Sequence, residues 1–312
     1  MNKRVAVMGA AGHTGGFVAS ELRRRGVTPI PCGRATDLER ALRDADAVIN
    51  CAGPFAATAA PVIESAIRAG IPYLDVTAEF EVVTDTFADY ARAAIPIVPA
   101  VAFYGGLGDL LATAAMGDWP AVDHLTIAYA LSSWRPTPGT RATGRVSAQR
   151  RNGRRITYAS HRLQFRAGDA PRAEWTFPAP IGTRPVVGEF TMADSATIPT
   201  HLDIPEISTY MSSNAVDDLR APESTGPVAV DERGRSAQRF LVEVVARSGG
   251  AERRTVASGQ DIYAVTAPLV VEAACRILAG EGDTTGVASV AARFDAGDFL
   301  KSLSPEHLTL GW

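Results

Sequence analysis

The chain is almost without lysine. Of its 31 basic residues, all but Lys3 and Lys301 are arginine. Chemistry that needs a central lysine, such as a Schiff base, has no residue to use. None of the seven tyrosines has a lysine four positions on, which sets aside the Tyr-x-x-x-Lys arrangement of short-chain dehydrogenases. Cysteine is scarce too. Cys32, Cys51 and Cys275 show no CxxC spacing, so neither a disulfide framework nor a zinc site is expected. The histidines, His13, His124, His161, His201 and His307, lack a ligand spacing such as HExxH, and no metal is expected. No apolar run reaches the length of about 18 residues that would predict a membrane span. The short apolar run after the N-terminus meets glycine at Gly9, too soon for a signal segment. A reducing cytoplasm is the expected location. Net charge is −3 over 312 residues, which offers nucleic acid no attracting field.

What is present, from the N-terminus, is an alternation of strands and helices. Val5–Met8, Thr28–Cys32, Ala47–Cys51, Ile71–Asp75 and Ile95–Pro99 read as strands. Thr14–Arg25, a short helix capped by Thr36 or Asp37, Thr58–Ala69 and Phe80–Ala93 read as the helices between them. This order predicts a parallel, doubly wound sheet. Only about a dozen residues separate the second strand from the third, an unusually short connection. Beyond residue 120 the period changes to two. His124–Leu131, Arg155–Phe165 and Arg239–Arg247 read as strands of an antiparallel or mixed sheet. The Pro/Gly-rich stretches 178–188 and 220–234 read as loops, and 263–280 as a helix with Thr266 as cap and Pro268 in its first turn. The fold class expected is therefore α/β: an N-terminal Rossmann sheet over 1–119, a second α+β domain over 120–262, and a C-terminal helical segment, 263–312, packing back on the first.

The first strand runs into Gly9-Ala-Ala11-Gly12-His13-Thr14-Gly15, a GxxGxxG turn ahead of a helix. Small residues let the backbone approach a pyrophosphate, and the helix N-terminus offers free N–H groups and the positive end of its dipole. Strand two ends Cys32-Gly33-Arg34, with no acid before Asp37. An arginine there suits a 2′-phosphate, so Arg34 predicts NADPH (NADP+) over NADH. Strand three ends in Asn50-Cys51-Ala52-Gly53-Pro54-Phe55, where Gly53 allows close approach to a cofactor and Phe55 supplies a flat wall. Strand four leaves through Asp75, Thr77 and Glu79 at the same edge. These three suit a polar site or the start of the next helix equally well.

Together these segments resemble the saccharopine dehydrogenase-like family: the glycine turn, Gly33-Arg34, NCAGPF at 50–55, YLDVTAE at 73–79 and AFYGGLGDLLAT at 102–113. The resemblance covers roughly residues 1–115 and, less closely, YAVTAPLVVEAACRILAG at 263–280. It implies an NADP-type Rossmann domain joined to a mixed-sheet domain, an active site in the cleft between them, and reduction or oxidation of C–N bonds of amino-acid adducts. Some relatives reduce C=C or C=O groups of lipids.

The candidate cofactor set is Gly9, Ala11, Gly12, His13, Thr14, Gly15, Arg34, Cys51, Ala52, Gly53, Pro54, Phe55 and Thr77. Tyr104, Asp75 and Glu79 are the candidate catalytic groups, Tyr104 as a proton donor beside Gly105-Gly106. Phe55, Phe103, Tyr104, Arg141 and Arg145 are the candidate substrate contacts. Arg141 and Arg145, spaced i, i+4, would share a helix face toward a carboxylate. They open an arginine-rich stretch, 141–155, with no interleaved aromatic residue, which argues against nucleic acid. The expected activity is hydride transfer from NADPH to the C=N of a small amino-acid-derived or acidic substrate. Two alternatives are an enoyl or keto reductase with a broad apolar cavity, and a regulator that binds NADPH without turnover. A homodimer through the second sheet is expected, because sheet edges need cover.

Overall fold

A computed structural model describes residues 3–222, 225–282 and 285–311. Its first sheet contains β1 (Arg4–Met8), β2 (Thr28–Cys32), β3 (Ala47–Asn50), β4 (Tyr73–Asp75) and β5 (Pro96–Val98). β1, β3, β4 and β5 are short apolar runs largely buried on both faces, as a helix-covered parallel sheet requires, while the edge strand β2 is mostly half-buried or exposed. The connecting helices are α1 (His13–Arg24), α2 (Leu38–Arg43), α3 (Phe55–Ala69) and α4 (Phe80–Asp89). Asp37, not Thr36, caps α2 by accepting from the Arg40 N–H. α3 begins three residues earlier than the sequence suggested, for a reason found at the site.

The second sheet holds nine strands in its main path or attached to it. β6 (His124–Leu131) and β12 (Arg239–Ser248) are its antiparallel centre. β11 (Glu206–Ser212) runs parallel to β6, so the sheet is mixed. β7 (Arg155–Ala159) and β8 (Arg162–Arg166) form a hairpin where one strand was expected. The chain turns at Ser160 and His161, both left-handed with φ of 55° and 57°. β9 (Arg172–Phe177) and β10 (Gly182–Gly188) form the next hairpin, so most of 178–188 is strand and not loop. Pro185 is accommodated in register opposite Glu174. β13 (Ala251–Gln260) completes the sheet on the other side with β15 (Thr309–Gly311). α5 (Gly108–Met116) packs beneath β12 and β13. α6 (Pro138–Arg150), α7 (Asp194–Thr197) and α8 (Ser213–Arg220) are inserted between strands.

The C-terminal segment serves both sheets. α9 (Ile262–Leu278) packs along α1, and β14 (Gly286–Val287) pairs in parallel with β5. α10 (Val290–Arg293) and α11 (Ala296–Ser302) cover α5, and β15 joins the second sheet. Asp261, not Thr266, caps α9, and Pro268 lies inside the helix. The order of the first sheet is β2-β1-β3-β4-β5-β14, all parallel. The chain therefore reverses direction between β1 and β3. Ligands of open α/β sheets bind at such a point, outside the carboxyl ends of the strands.

Candidate functional site

Two loops meet at that reversal. β1 runs into Gly9, with φ of 73°, whose N–H donates to the Cys32 carbonyl at 2.9 Å. The turn closes by Gly12 N–H to Gly9 O at 2.8 Å, and α1 then starts with no side-chain cap. Gly12, His13 and Thr14, at that start, line the crevice, where an anion would meet the uncapped end of the helix. Gly15 has a different task from the one expected. A Cβ there would sit 2.1 Å from the Gly9 carbonyl oxygen, so Gly15 lets the helix pack on the turn and does not line the crevice.

The second loop is Cys51–Pro54. Asn50, fully buried, accepts from the Ala52 N–H at 3.0 Å and donates to Thr58 Oγ1 at 3.2 Å and Tyr73 OH at 3.3 Å. Thr58 in turn donates to the Ala52 carbonyl at 2.6 Å. The Gly53–Pro54 bond is cis. Phe55 then opens α3, and the free N–H groups of Phe55 and Ala56 donate to Glu79 at 2.6 and 2.9 Å. A carboxylate from a distant loop thus caps α3, which is why the helix starts at Phe55 and not at Thr58.

This arrangement corrects the expected roles at the β4 exit. Asp75, Thr77 and Glu79 are fully buried and stand behind the crevice wall, as does Pro54. Asp75 accepts from Tyr73 OH, the Thr77 N–H and the Ala100 N–H at 2.9, 3.0 and 2.8 Å. Burial pushes its carboxyl up to about 6. Burial likewise raises Glu79, against the two N–H groups it accepts. Thr77 Oγ1 accepts from the Glu79 N–H at 3.0 Å. All three residues accept from backbone N–H groups, and none of them lines the crevice.

The crevice opens into a cavity of about 1260 Å³, above the roughly 300–1,000 Å³ of an ordinary single-ligand pocket. Gly9, Ala11, Gly12, His13, Thr14, Arg34, Cys51, Ala52, Gly53 and Phe55 line one end. Arg34 is exposed there, and no ion pair engages it among the described residues. Burial lowers the His13 pKa, and its ring meets Phe17 and Tyr263 edge-on, each at 5.2 Å. Burial pushes the Cys51 thiol up, which makes it a poor nucleophile.

The other end is aromatic. Phe103, Tyr104, Trp134, Phe190 and Tyr263 line it. Tyr104 lies 4.8 Å from Phe103 and 5.2 Å from Trp134 between ring centroids. Its hydroxyl is buried without a hydrogen-bond partner, and burial holds its pKa well above the usual 10. Tyr104 therefore keeps its proton at any ordinary pH. Tyr263 is saturated: its oxygen accepts from Trp134 Nε1 and the Thr137 N–H, both at 3.3 Å, and lies 2.9 Å from Thr140 Oγ1. Trp134, Phe190 and Tyr263 escaped the sequence reading. The one local signal nearby was Thr137-Pro138, a cap followed by an N1 proline, and Thr137 does cap α6.

α6 crosses the mouth of the cavity. A Cβ on Gly53 would meet Thr143 Oγ1 at 2.7 Å, so the glycine lets helix and loop touch. Ser147 and Arg151 bind Glu81 at 2.7 and 3.2 Å. Arg141 donates to the carbonyls of Leu219 and Ala221 at the end of α8, at 3.5 and 2.8 Å. Arg145, one turn on, lines the cavity, is exposed and has no ion-pair partner among the described residues.

The fold is that of a two-sheet protein whose first sheet is of the Rossmann type. Among solved structures, apo saccharopine dehydrogenase (L-Glu forming) from Saccharomyces cerevisiae is similar over 99% of both chains, with a TM-score of 0.61 and 11% identity. DAP dehydrogenase of C. glutamicum in complex with DAP is similar over 97% of this chain and 98% of its own, with a TM-score of 0.50 and 12% identity. No protein-family model and no curated protein matches the chain. The resemblance read from the sequence is met in the architecture, end to end.

Proposed function

We propose that the protein is an NADPH-dependent reductase, with the dinucleotide along the glycine turn and its acceptor in the aromatic end. The observation that carries this reading is one continuous cavity joining the α1 N-terminus and Arg34 to the wall built on Phe103 and Tyr104. A bound NADPH supplies the hydride. The chain's own residues do the rest. The 9–12 turn and the open start of α1 bind the pyrophosphate, and Arg34 binds the 2′-phosphate. Gly53 and Phe55 wall the nicotinamide, and Tyr104 holds a proton on its hydroxyl for the acceptor atom.

The acceptor expected from sequence is a C=N bond in a small amino-acid-derived or acidic molecule. The breadth and apolar walls of the cavity favour the second reading, reduction of C=C or C=O in an apolar substrate. In this assignment 1–119 holds the nucleotide and adds Phe103 and Tyr104 to the substrate end, which 120–262 shapes and Tyr263 of the C-terminal segment completes. The protein works as a homodimer in the cytoplasm.

Titration of the purified protein with NADPH and with NADH, repeated on Arg34→Ala, tests the cofactor reading. NADPH is expected to bind more tightly than NADH, and the variant is expected to lose roughly tenfold or more for NADPH alone, the worth of a charge-assisted contact. Binding of neither nucleotide would overturn the reading.

A further inference from the structure

The charge of the cavity is one-sided. Among the described residues that line it there are four arginines, Arg34, Arg141, Arg145 and Arg151, and no aspartate or glutamate. The buried acids close by are out of reach. Asp75 and Glu79 lie behind the wall, each accepting backbone N–H groups. Asp194 is fully buried behind Tyr104, accepting from Gly105 N–H and Tyr129 OH. Lowered by burial, His13 adds neither an anion nor a fixed cation.

An amino acid brings an ammonium as well as a carboxylate. Taken out of water, an ammonium needs an anion or several fixed acceptors. Here it would meet guanidinium groups and ring faces. The aromatic end has few hydrogen-bonding atoms to give, because Trp134 Nε1, Thr137 N and Thr140 Oγ1 already converge on the Tyr263 hydroxyl. What that end offers a ligand is apolar surface from Phe103, Trp134, Phe190, Met192 and Leu219, and one unpartnered hydroxyl, Tyr104 OH, whose proton the acceptor atom takes.

The four arginines are not equivalent. Arg34 belongs to the nucleotide end. Arg141 is held by the Leu219 and Ala221 carbonyls, and Arg151 by Glu81 and Ser147. Of the three arginines that α6 and its C-terminal end bring to the cavity, Arg145 alone has a guanidinium with no hydrogen-bond or ion-pair partner among the described residues. A guanidinium in that state is a bidentate site for a carboxylate.

We infer that the cavity takes an apolar carboxylic acid lacking an amino group, with its hydrocarbon body in the aromatic end and its carboxylate on Arg145. The inference names the substrate class of the reductase proposed above and rests on that reading for the chemistry, but not for the binding.

The test is calorimetric binding of three matched probes: 3-(2-naphthyl)propanoate, its primary amide, and 3-(2-naphthyl)alanine. Each is measured on the full chain with and without saturating NADP+. The acid is expected to bind about tenfold or more tightly than the amino acid, since an unpaired ammonium costs at least that much. Arg145→Gln is expected to weaken the acid about tenfold and leave the amide unchanged. Arg150→Gln, which touches only the exposed Asp85, serves as the control that should change nothing. Equal or tighter binding of the amino acid overturns the inference. So does an acid affinity indifferent to Arg145→Gln, or no binding of any probe while NADPH still binds. Acid binding through Arg145 in a protein that ignores both nucleotides would uphold this inference and sink the reductase reading.

Discussion

Asp194 shows what burial does to a single group. Its Oδ1 accepts from Tyr129 OH at 2.9 Å and Gly105 N–H at 3.2 Å, while Oδ2 has no partner. Burial raises the carboxyl from the ordinary 3.8 to about 7. Asp75 moves the same way, to about 6. A raised pKa in the fold means that the folded chain holds these protons to higher pH than the unfolded chain does. The associated stability is complete below about pH 4 and is lost as pH rises through about 6 and 7. Asp194→Asn keeps an oxygen for both donors and removes the titration. Melting temperature against pH should therefore fall less steeply for the variant than for the parent between about pH 4 and pH 7. Parallel curves would show that the group is not buried as described.

At the scale of elements, the start of α3 depends on a residue from another loop. Pro54 carries no capping side chain, and the Phe55 and Ala56 N–H groups are satisfied only by Glu79 among the described residues. An amide at that position has one acceptor oxygen, so Glu79→Gln leaves one buried N–H facing an NH₂ group. The expected loss is about 1–2 kcal/mol in denaturant unfolding, the usual worth of a cap and of an orphaned buried donor. The wild-type midpoint retained in the variant would show that water or another group caps the helix. The same element explains why the sequence reading was incomplete. Gly53, Pro54 and Phe55 were legible as a loop shaped for close approach, because glycine and proline act on their own backbone. Glu79 was legible as a polar residue at the sheet edge, but nothing local tells whether such a residue faces the ligand or a neighbouring helix.

Across the whole molecule, the second sheet ends in exposed edges at β9 and β15, and the β7–β8 hairpin carries Phe165, 51% exposed. Unpaired edges and exposed rings favour a second copy as cover. Light scattering after size exclusion should give twice the chain mass, and a monomer at all concentrations would refute the dimer. Among the described residues no helix is long and apolar enough to cross a membrane.

Local chemistry determined the first half of this protein from sequence alone. The period of the apolar runs, the glycine turn and the short β2–β3 connection specify a parallel sheet that reverses beside β1, and each is a property of a few consecutive residues. The second sheet was legible as alternation but not in its corners. Ser160 and His161 turn the chain without glycine, and Pro185 sits in a strand. Only the tertiary structure decided what the cavity is. Trp134, Phe190 and Tyr263 come from three distant segments, and Asp75 and Glu79 turn away from it. A cavity's polarity is set by which side chains other elements leave uncovered, and that depends on packing across the whole chain, which no local pattern encodes.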